Sequence, residues 1–332
     1  MRVSSSASEN IKWLWLLAIV ASSLAMADNP TLEQRRHAAT QTATFSKTCR
    51  AIKPFYWEIG DSSASLVSAS VGDKYNAETR MLIASASKWL WGAYVVQLKQ
   101  GKLSEEDVSF LTMHSGYTHF RYQRCALMSH RDASTTVEQC FTAQSLFGNS
   151  DRQEASDINR FHYDGGHFQK QAVELGLGDR NYQTLQYALQ KQLGKDVIFS
   201  FDSPQLAGGI SMTATHYAIF LRKILNNQLL MHDALGTHAV CTNPATCNAS
   251  TYSPTPANES WHYSLGHWLE DDPKVGDGAF SSAGALGFYP WIDHSKTFYG
   301  IVARKAGLGA AFGSVNCGRD IRRAWMTGDA QQ

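Results

Sequence analysis

Ser85 and Lys88 stand three residues apart in the stretch LIASASKWLWGAYVVQLKQG, residues 82–101. On a helix, positions i and i+3 share a face, so the amine can reach the hydroxyl. A serine hydroxyl is a poor nucleophile until a neighbour accepts its proton, and an ammonium cannot accept one. The pair therefore does nucleophilic chemistry only if Lys88 is neutral at the moment of attack, or if it holds a second base ionised. Desolvation and a nearby cation both favour the neutral amine. The competing reading is that Ser85 caps a helix and Lys88 is a solvated charge. Chance supplies roughly one Ser-x-x-Lys in a chain of this size, so the surroundings must decide.

The tetrad opens a predicted amphipathic helix, in which Trp91, Tyr94, Val95 and Leu98 recur at helical spacing and Gly101 follows as a stop. Before it, FYWEIG and SLVSASVG alternate with period two around the turn GDSSA, which predicts a hairpin. Residues 102–228 read as mostly helical. The clearest helix there is TATHYAIFLRKILNNQLL, with an apolar stripe of Tyr217, Phe220, Leu221, Ile224 and Leu225 and with Thr213 or Thr215 as its cap. Residues 242–260, rich in Pro, Ser, Thr and Asn, read as a long loop. ALGFYPWID and KTFYGIVARK then read as strands, residues 314–326 as a closing helix, and no internal repeat is present. The simplest packing sets the early hairpin beside the late strands in one antiparallel sheet, with the central helices as a second lobe. Ser85 then lies where the lobes meet, with its backbone N–H among the free donors of a helix start.

Arg2 and Lys12, the apolar run 13–21 and the small-x-small site Ala25-Met26-Ala27 read as a secretory leader, residues 1–27. The run is shorter than the roughly 20 residues a spanning helix needs, so no membrane span is expected after cleavage. The chain is expected to be exported, periplasmic or secreted. Removing Arg2, Lys12 and Glu9 leaves 28 charges of each sign, which gives no electrostatic case for a nucleic-acid partner or an anionic membrane. Six cysteines remain, an even count that suggests disulfides in an exported chain. Proximity pairs Cys241 with Cys247 and Cys125 with Cys140, leaving Cys49 with Cys317, one of 15 possible arrangements.

IASASK resembles the nucleophile motif of the serine beta-lactamase and penicillin-binding-protein superfamily, in particular its class C beta-lactamase and esterase branch. FLTMHSGY (110–117), FHYDGGHF (161–168), LAGGISMTATHYAIFLRKIL (206–225), YSLGHWLE and SSAGALGFYPWID are similar to later blocks of that branch and occur in the same order. The similarity spans residues 55–304. It implies an α+β, beta-lactamase/DD-peptidase-like fold: an antiparallel sheet flanked by helices, plus a mainly helical lobe. Residues 28–332 would form one hydrolase domain, with 28–100 and 256–332 as the sheet lobe and 101–255 as the helical lobe. The resemblance puts Tyr163 at the position of a tyrosine that shares acid–base work with the lysine. It puts Ala285 at the position of a second oxyanion donor beside the Ser85 N–H. The branch's lysine-threonine-glycine triplet reads Ser282-Ala283-Gly284 here, with Gly284 expected to admit the substrate close to the strand.

Two departures bear on specificity. Ser282 stands where many relatives carry a cation, and Gly165 stands where class C beta-lactamases carry an asparagine. Both family positions grip the substrate, so the expectation is a working hydrolase with esterase-like specificity acting on a small-molecule or peptide-like ester or amide. The rivals are a D-alanyl-D-alanine carboxypeptidase or a beta-lactamase, and a catalytically silent cell-wall binding or sensor protein. No cofactor is expected. His114 and His119, like His162 and His167, are five apart, a poor spacing for a metal on one helical face, and no Cys-x-x-Cys occurs. There is no Gly-x-Ser-x-Gly and no glycine-rich phosphate loop. Trp89, Trp91, Trp261, Trp268 and Trp291 read as core.

Overall fold

The hairpin expected from FYWEIG and SLVSASVG forms in a computed structural model that describes Met1, Arg2 and residues 29–145, 148–149 and 151–332. The expected leader and its cleavage site lie outside the described residues. Strand β1 (Phe55–Asp61) pairs antiparallel with β2 (Ser65–Val71). The remaining strands of the main sheet are β3 (Val240–Cys241), β4 (His262–Tyr263), β5 (Trp268–Glu270), β6 (Ala279–Ser281), β7 (Tyr289–Ile292) and β8 (Phe298–Ala303). All pairings are antiparallel, in the order β2-β1-β8-β7-β6-β5-β4-β3. The late strands thus lie beside the early hairpin. The edge strand β3 comes from residues expected in the helical lobe.

The alternation in β1 does not translate into one wet face. Phe55 through Gly60 are all buried. The cause is tertiary: helices cover both faces of the sheet. Helices α1 (Leu32–Phe45), α2 (Ser87–Leu98), α3 (Tyr122–Arg131), α4 (Gly166–Ala172), α5 (Ala214–Leu225) and α6 (Ala311–Thr327) frame the molecule. Successive strand residues point to opposite faces. In β8, Phe298 meets Trp325 of α6 edge-on at 5.4 Å, while Tyr299 turns the other way and its hydroxyl accepts from Arg222 of α5 at 2.9 Å. Helix α5 starts at its expected cap, Thr213, whose hydroxyl accepts the His216 N–H at 3.2 Å. The closing helix begins at Ala311, three residues earlier than expected.

Helix α2 is not amphipathic. Ser87 through Val96 are all buried, because the helix runs through the middle of the molecule and is apolar nearly all round. Tyr182–Leu193 packs along it. On another side α2 meets the turn between β4 and β5, backbone against backbone. A Cβ on Gly92 would lie 2.2 Å from the Leu265 carbonyl oxygen, and one on Gly266 would lie 2.5 Å from that of Lys88. Only glycine permits this approach, and it fixes the depth of the helix against the sheet. Trp89, Trp91, Trp261 and Trp291 are fully buried and Trp268 nearly so. Among the described residues no helix is long and apolar enough to cross a membrane.

The disulfides are Cys49–Cys317, Cys125–Cys140 and Cys241–Cys247, the pairs that sequence proximity suggests. Cys49–Cys317 joins the short helix Lys47–Arg50 to α6. The Arg35 guanidinium of α1 adds a 2.7 Å hydrogen bond to the Trp325 carbonyl. The bond closes a loop of 268 residues. In the chain-entropy account, a loop so long constrains the unfolded chain by about 5–6 kcal/mol. The double variant Cys49→Ser/Cys317→Ser should lose a large part of that in denaturant unfolding. An unchanged midpoint would show that the remaining contacts between α1 and α6 suffice.

Candidate active site

The short strand Met81–Leu82 leads into Ala84, whose φ of 47° lies in the left-handed region. A non-glycine residue there is strained by about 1–2 kcal/mol. A 3-10 turn, Ala84–Ala86, follows and runs directly into α2. Ser85 therefore sits on this turn, ahead of the α-helix proper. Four hydrogen bonds hold it. Ile83 N–H donates to the Ile210 carbonyl at 2.9 Å, and Ala86 N–H to the Ile83 carbonyl at 3.1 Å. The Tyr217 hydroxyl donates to the Ala86 carbonyl at 2.9 Å, and the Ser282 hydroxyl to that of Ser85 at 3.0 Å. Because the turn begins at Ala84, the Ser85 N–H precedes the first intrahelical bond and is a free donor. The side chain of Ser85 is partly exposed.

Lys88 lies one turn on, 1% exposed. Its Nζ is 3.0 Å from Ser85 Oγ and donates to the Ala207 carbonyl at 2.7 Å. It also stands 4.7 Å from the centre of the Tyr163 ring. Burial pulls its pKa down to about 7, with Asp164 opposing. Tyr163 stacks on Trp268 at 5.2 Å and meets Tyr263 edge-on at 5.8 Å. Burial drives its phenol pKa upward, and hydrogen bonding to Ser85 opposes this. The two shifts agree in consequence: near neutral pH the lysine has ready access to its neutral form and the tyrosine keeps its proton. Asp164 is pushed up to about 6 by burial, although its Oδ1 accepts from Gly166 N–H at 2.7 Å and Phe120 N–H at 3.1 Å.

The late-strand triplet, Ser282-Ala283-Gly284, packs against the turn that carries Ser85. Ser282 is 2% exposed, and its hydroxyl donates to the Ser85 carbonyl, so it holds the backbone of the turn. Gly284 makes room for backbone too: a Cβ there would lie 2.1 Å from the Ile83 carbonyl oxygen. Ala283 is partly exposed. The Ala285 N–H, one residue beyond, meets no acceptor among the described residues. Arg304 does not stand in for the missing cation. Its guanidinium donates to Ser314 Oγ at 2.9 Å and to the Ala310 carbonyl at 3.1 Å. Gly165 is backed by Tyr122, whose Oη would be 2.6 Å from a Cβ at that position.

The structure thus brings together Ser85, Lys88, Tyr163, Ser282 and Gly284. The histidines do other work: His167 is fully buried, bonded to Ser115 Oγ at 2.6 Å and the His162 carbonyl at 2.9 Å. Among the described residues no group of three or more His, Cys, Asp or Glu is placed to hold a metal. Sequence reasoning missed Ala207, Tyr217, Asp164 and Tyr122. The first acts through its carbonyl, which carries no side-chain signal. Asp164 was findable as the acid beside Tyr163.

Neither a protein-family model nor a curated protein matches the sequence. Solved structures match its fold. The octameric penicillin-binding protein homologue from Pyrococcus abyssi aligns with TM-score 0.62 at 11% identity, covering 91% of this chain and 78% of its own. A D-stereospecific amidohydrolase from Streptomyces sp. aligns with TM-score 0.59 at 14% identity, over 91% of this chain and 100% of its own. EstCE1, described as a hydrolase with promiscuous acyltransferase activity, gives 0.59 at 15% identity, over 89% and 98%. At these identities the likeness is one of fold. The chain has the beta-lactamase and penicillin-binding-protein fold, as the colinear motifs implied.

Lys88 is depressed to about 7, so it takes up a proton only as pH falls below that value. The rate at which a fluorophosphonate labels Ser85 should therefore rise with pH through an apparent pKa near 7 and level off above it. A rate that does not change across this range would place the accepting group elsewhere.

Proposed function

We propose that this chain is an exported serine hydrolase, periplasmic or secreted, that cleaves an ester or amide through an acyl-enzyme on Ser85. One observation carries the reading: a buried amine with ready access to its neutral form lies 3.0 Å from the Ser85 hydroxyl. Lys88 takes the Oγ proton as Oγ bonds to the substrate's carbonyl carbon, and the carbonyl π pair moves onto oxygen. The N–H groups of Ser85 and Ala285 receive that oxyanion. Collapse expels the alcohol or amine. It takes a proton from the Tyr163 phenol, which regains one from the Lys88 ammonium. Water then attacks the acyl-enzyme and gives a proton to Lys88, and Ser85 leaves with that proton restored to its oxygen. Tyr163 is the donor in this scheme because its raised pKa keeps it protonated. The scheme draws only on groups of the chain itself.

An uncharged substrate fits best. Beta-lactams and cell-wall peptides carry a carboxylate near the scissile amide, and a charge-assisted hydrogen bond to it is about twice as strong as a neutral one. On the late strand Ser282 is buried and engaged, and Arg304 is bonded to Ser314 and Ala310. The esterase-like reading is therefore favoured over carboxypeptidase or beta-lactamase. The names of two structural neighbours, an amidohydrolase and a promiscuous acyltransferase hydrolase, are in keeping with it. Three disulfides among the described residues suit an oxidising compartment.

Ser85→Ala should abolish turnover while the protein stays folded, since the hydroxyl's task is chemical. Full activity in that folded variant would end the reading outright. Lys88→Ala and Tyr163→Phe should each lower kcat by about 10²–10⁴, the usual worth of general acid–base assistance. The second measurement compares kcat/KM on a short-chain aryl ester with that on a chromogenic cephalosporin. The ester should win; preference for the cephalosporin would mean that another cation meets the carboxylate.

A further inference from the structure

Tyr122 opens α3 and belongs to no motif, yet it reaches the wall of the site. Its Oη lies 2.6 Å, and Ala207 Cβ 3.1 Å, from the point a side chain at residue 165 would start. Ala207 is the residue whose carbonyl holds the Lys88 amine. The phenol thus stands between the segment bearing Tyr163 and the anchor of Lys88. Its position is built. The Tyr122 ring meets Phe120 edge-on at 5.0 Å, and its carbonyl accepts from Gln205 Nε2 at 3.1 Å. The Phe120 N–H is tied to Asp164, and Cys125–Cys140 fixes the helix behind it. The phenol oxygen accepts the Gly165 N–H, and no described residue accepts the phenol's own proton. A donor left without an acceptor at the wall of the site is available to a substrate.

We propose that Tyr122 is a specificity-determining residue: its hydroxyl donates to an oxygen on the acyl part of the substrate. This deepens the acyl-enzyme reading and rests on it. The acyl part stays on the enzyme through both steps, so a fixed, half-buried donor reads that part and not the departing group. The preferred substrates are then acyl donors that carry a carbonyl or ether oxygen besides the scissile one. Gly165 is the complementary requirement, since any side chain there would collide with the phenol.

The test uses two 4-nitrophenyl esters of similar length, the N-acetylglycinate and the pentanoate, each corrected for its rate with hydroxide. The wild-type protein should favour the N-acetylglycinate by roughly three- to tenfold in kcat/KM, the worth of one neutral hydrogen bond. Tyr122→Phe should bring the ratio to about one, and Gly165→Ala should do the same by displacing the phenol. A ratio near one in the wild-type protein overturns the inference, as does a ratio that survives in both folded variants. Fluorophosphonate labelling of wild-type Ser85 separates the two levels. If labelling occurs and the ratio fails, only this inference falls; without labelling the acyl-enzyme reading falls and takes it along.

Discussion

Everything at this site follows from one amine taken out of water. Lys88 is nearly inaccessible, and its Nζ has two close oxygens, Ser85 Oγ and the Ala207 carbonyl. Neither oxygen is charged. An ammonium in that setting lacks the compensation water would give it, which is why its proton is held weakly. The surrounding architecture can be read as what is needed to keep the amine there. Helix α2 is buried nearly all round, its depth is set by a glycine-to-glycine approach to the β4–β5 turn, and the Gln205–Gly209 loop presents a carbonyl in place of a carboxylate. Asp164 is the one acid close enough to matter, and its own burial and raised pKa moderate its pull.

Ser85 is held by backbone and Lys88 by burial. Ser85 sits on a strained turn clamped from two directions, by Tyr217 of α5 and by Ser282 at the end of β6. Both clamps act on carbonyls of the turn and leave the Ser85 side chain and N–H free. A helix and the end of a sheet strand thus each supply a support, and the Ser85 side chain stays partly exposed.

Much of this was legible in the sequence. The Ser85–Lys88 spacing, the colinear blocks and Tyr163 all carry side chains whose type announces a task. The early hairpin and late strands were readable because alternation survives in FYWEIG and SLVSASVG. Full burial of β1 was not, since a strand cannot report that helices will cover both its faces. Ser282 and Gly284 lie beside Ser85. Their partners are the carbonyls of Ser85 and Ile83, and a backbone acceptor has no residue type by which to recognise it. Tyr122 fell outside every motif because only the fold brings residue 122 against residue 165.

Cys49–Cys317 has a meaning beyond the constraint it places on the unfolded chain. It turns nearly the whole chain into a covalent ring, with α1 and α6 lying side by side at the closure. A single cut by a protease anywhere in that ring, for instance in the proline-rich stretch 242–260, leaves both pieces joined. The loop that gives Lys88 its carbonyl and the strand end that clamps Ser85 stay on one molecule after such a nick. A first cleavage then does not part the pieces, and separation requires a second.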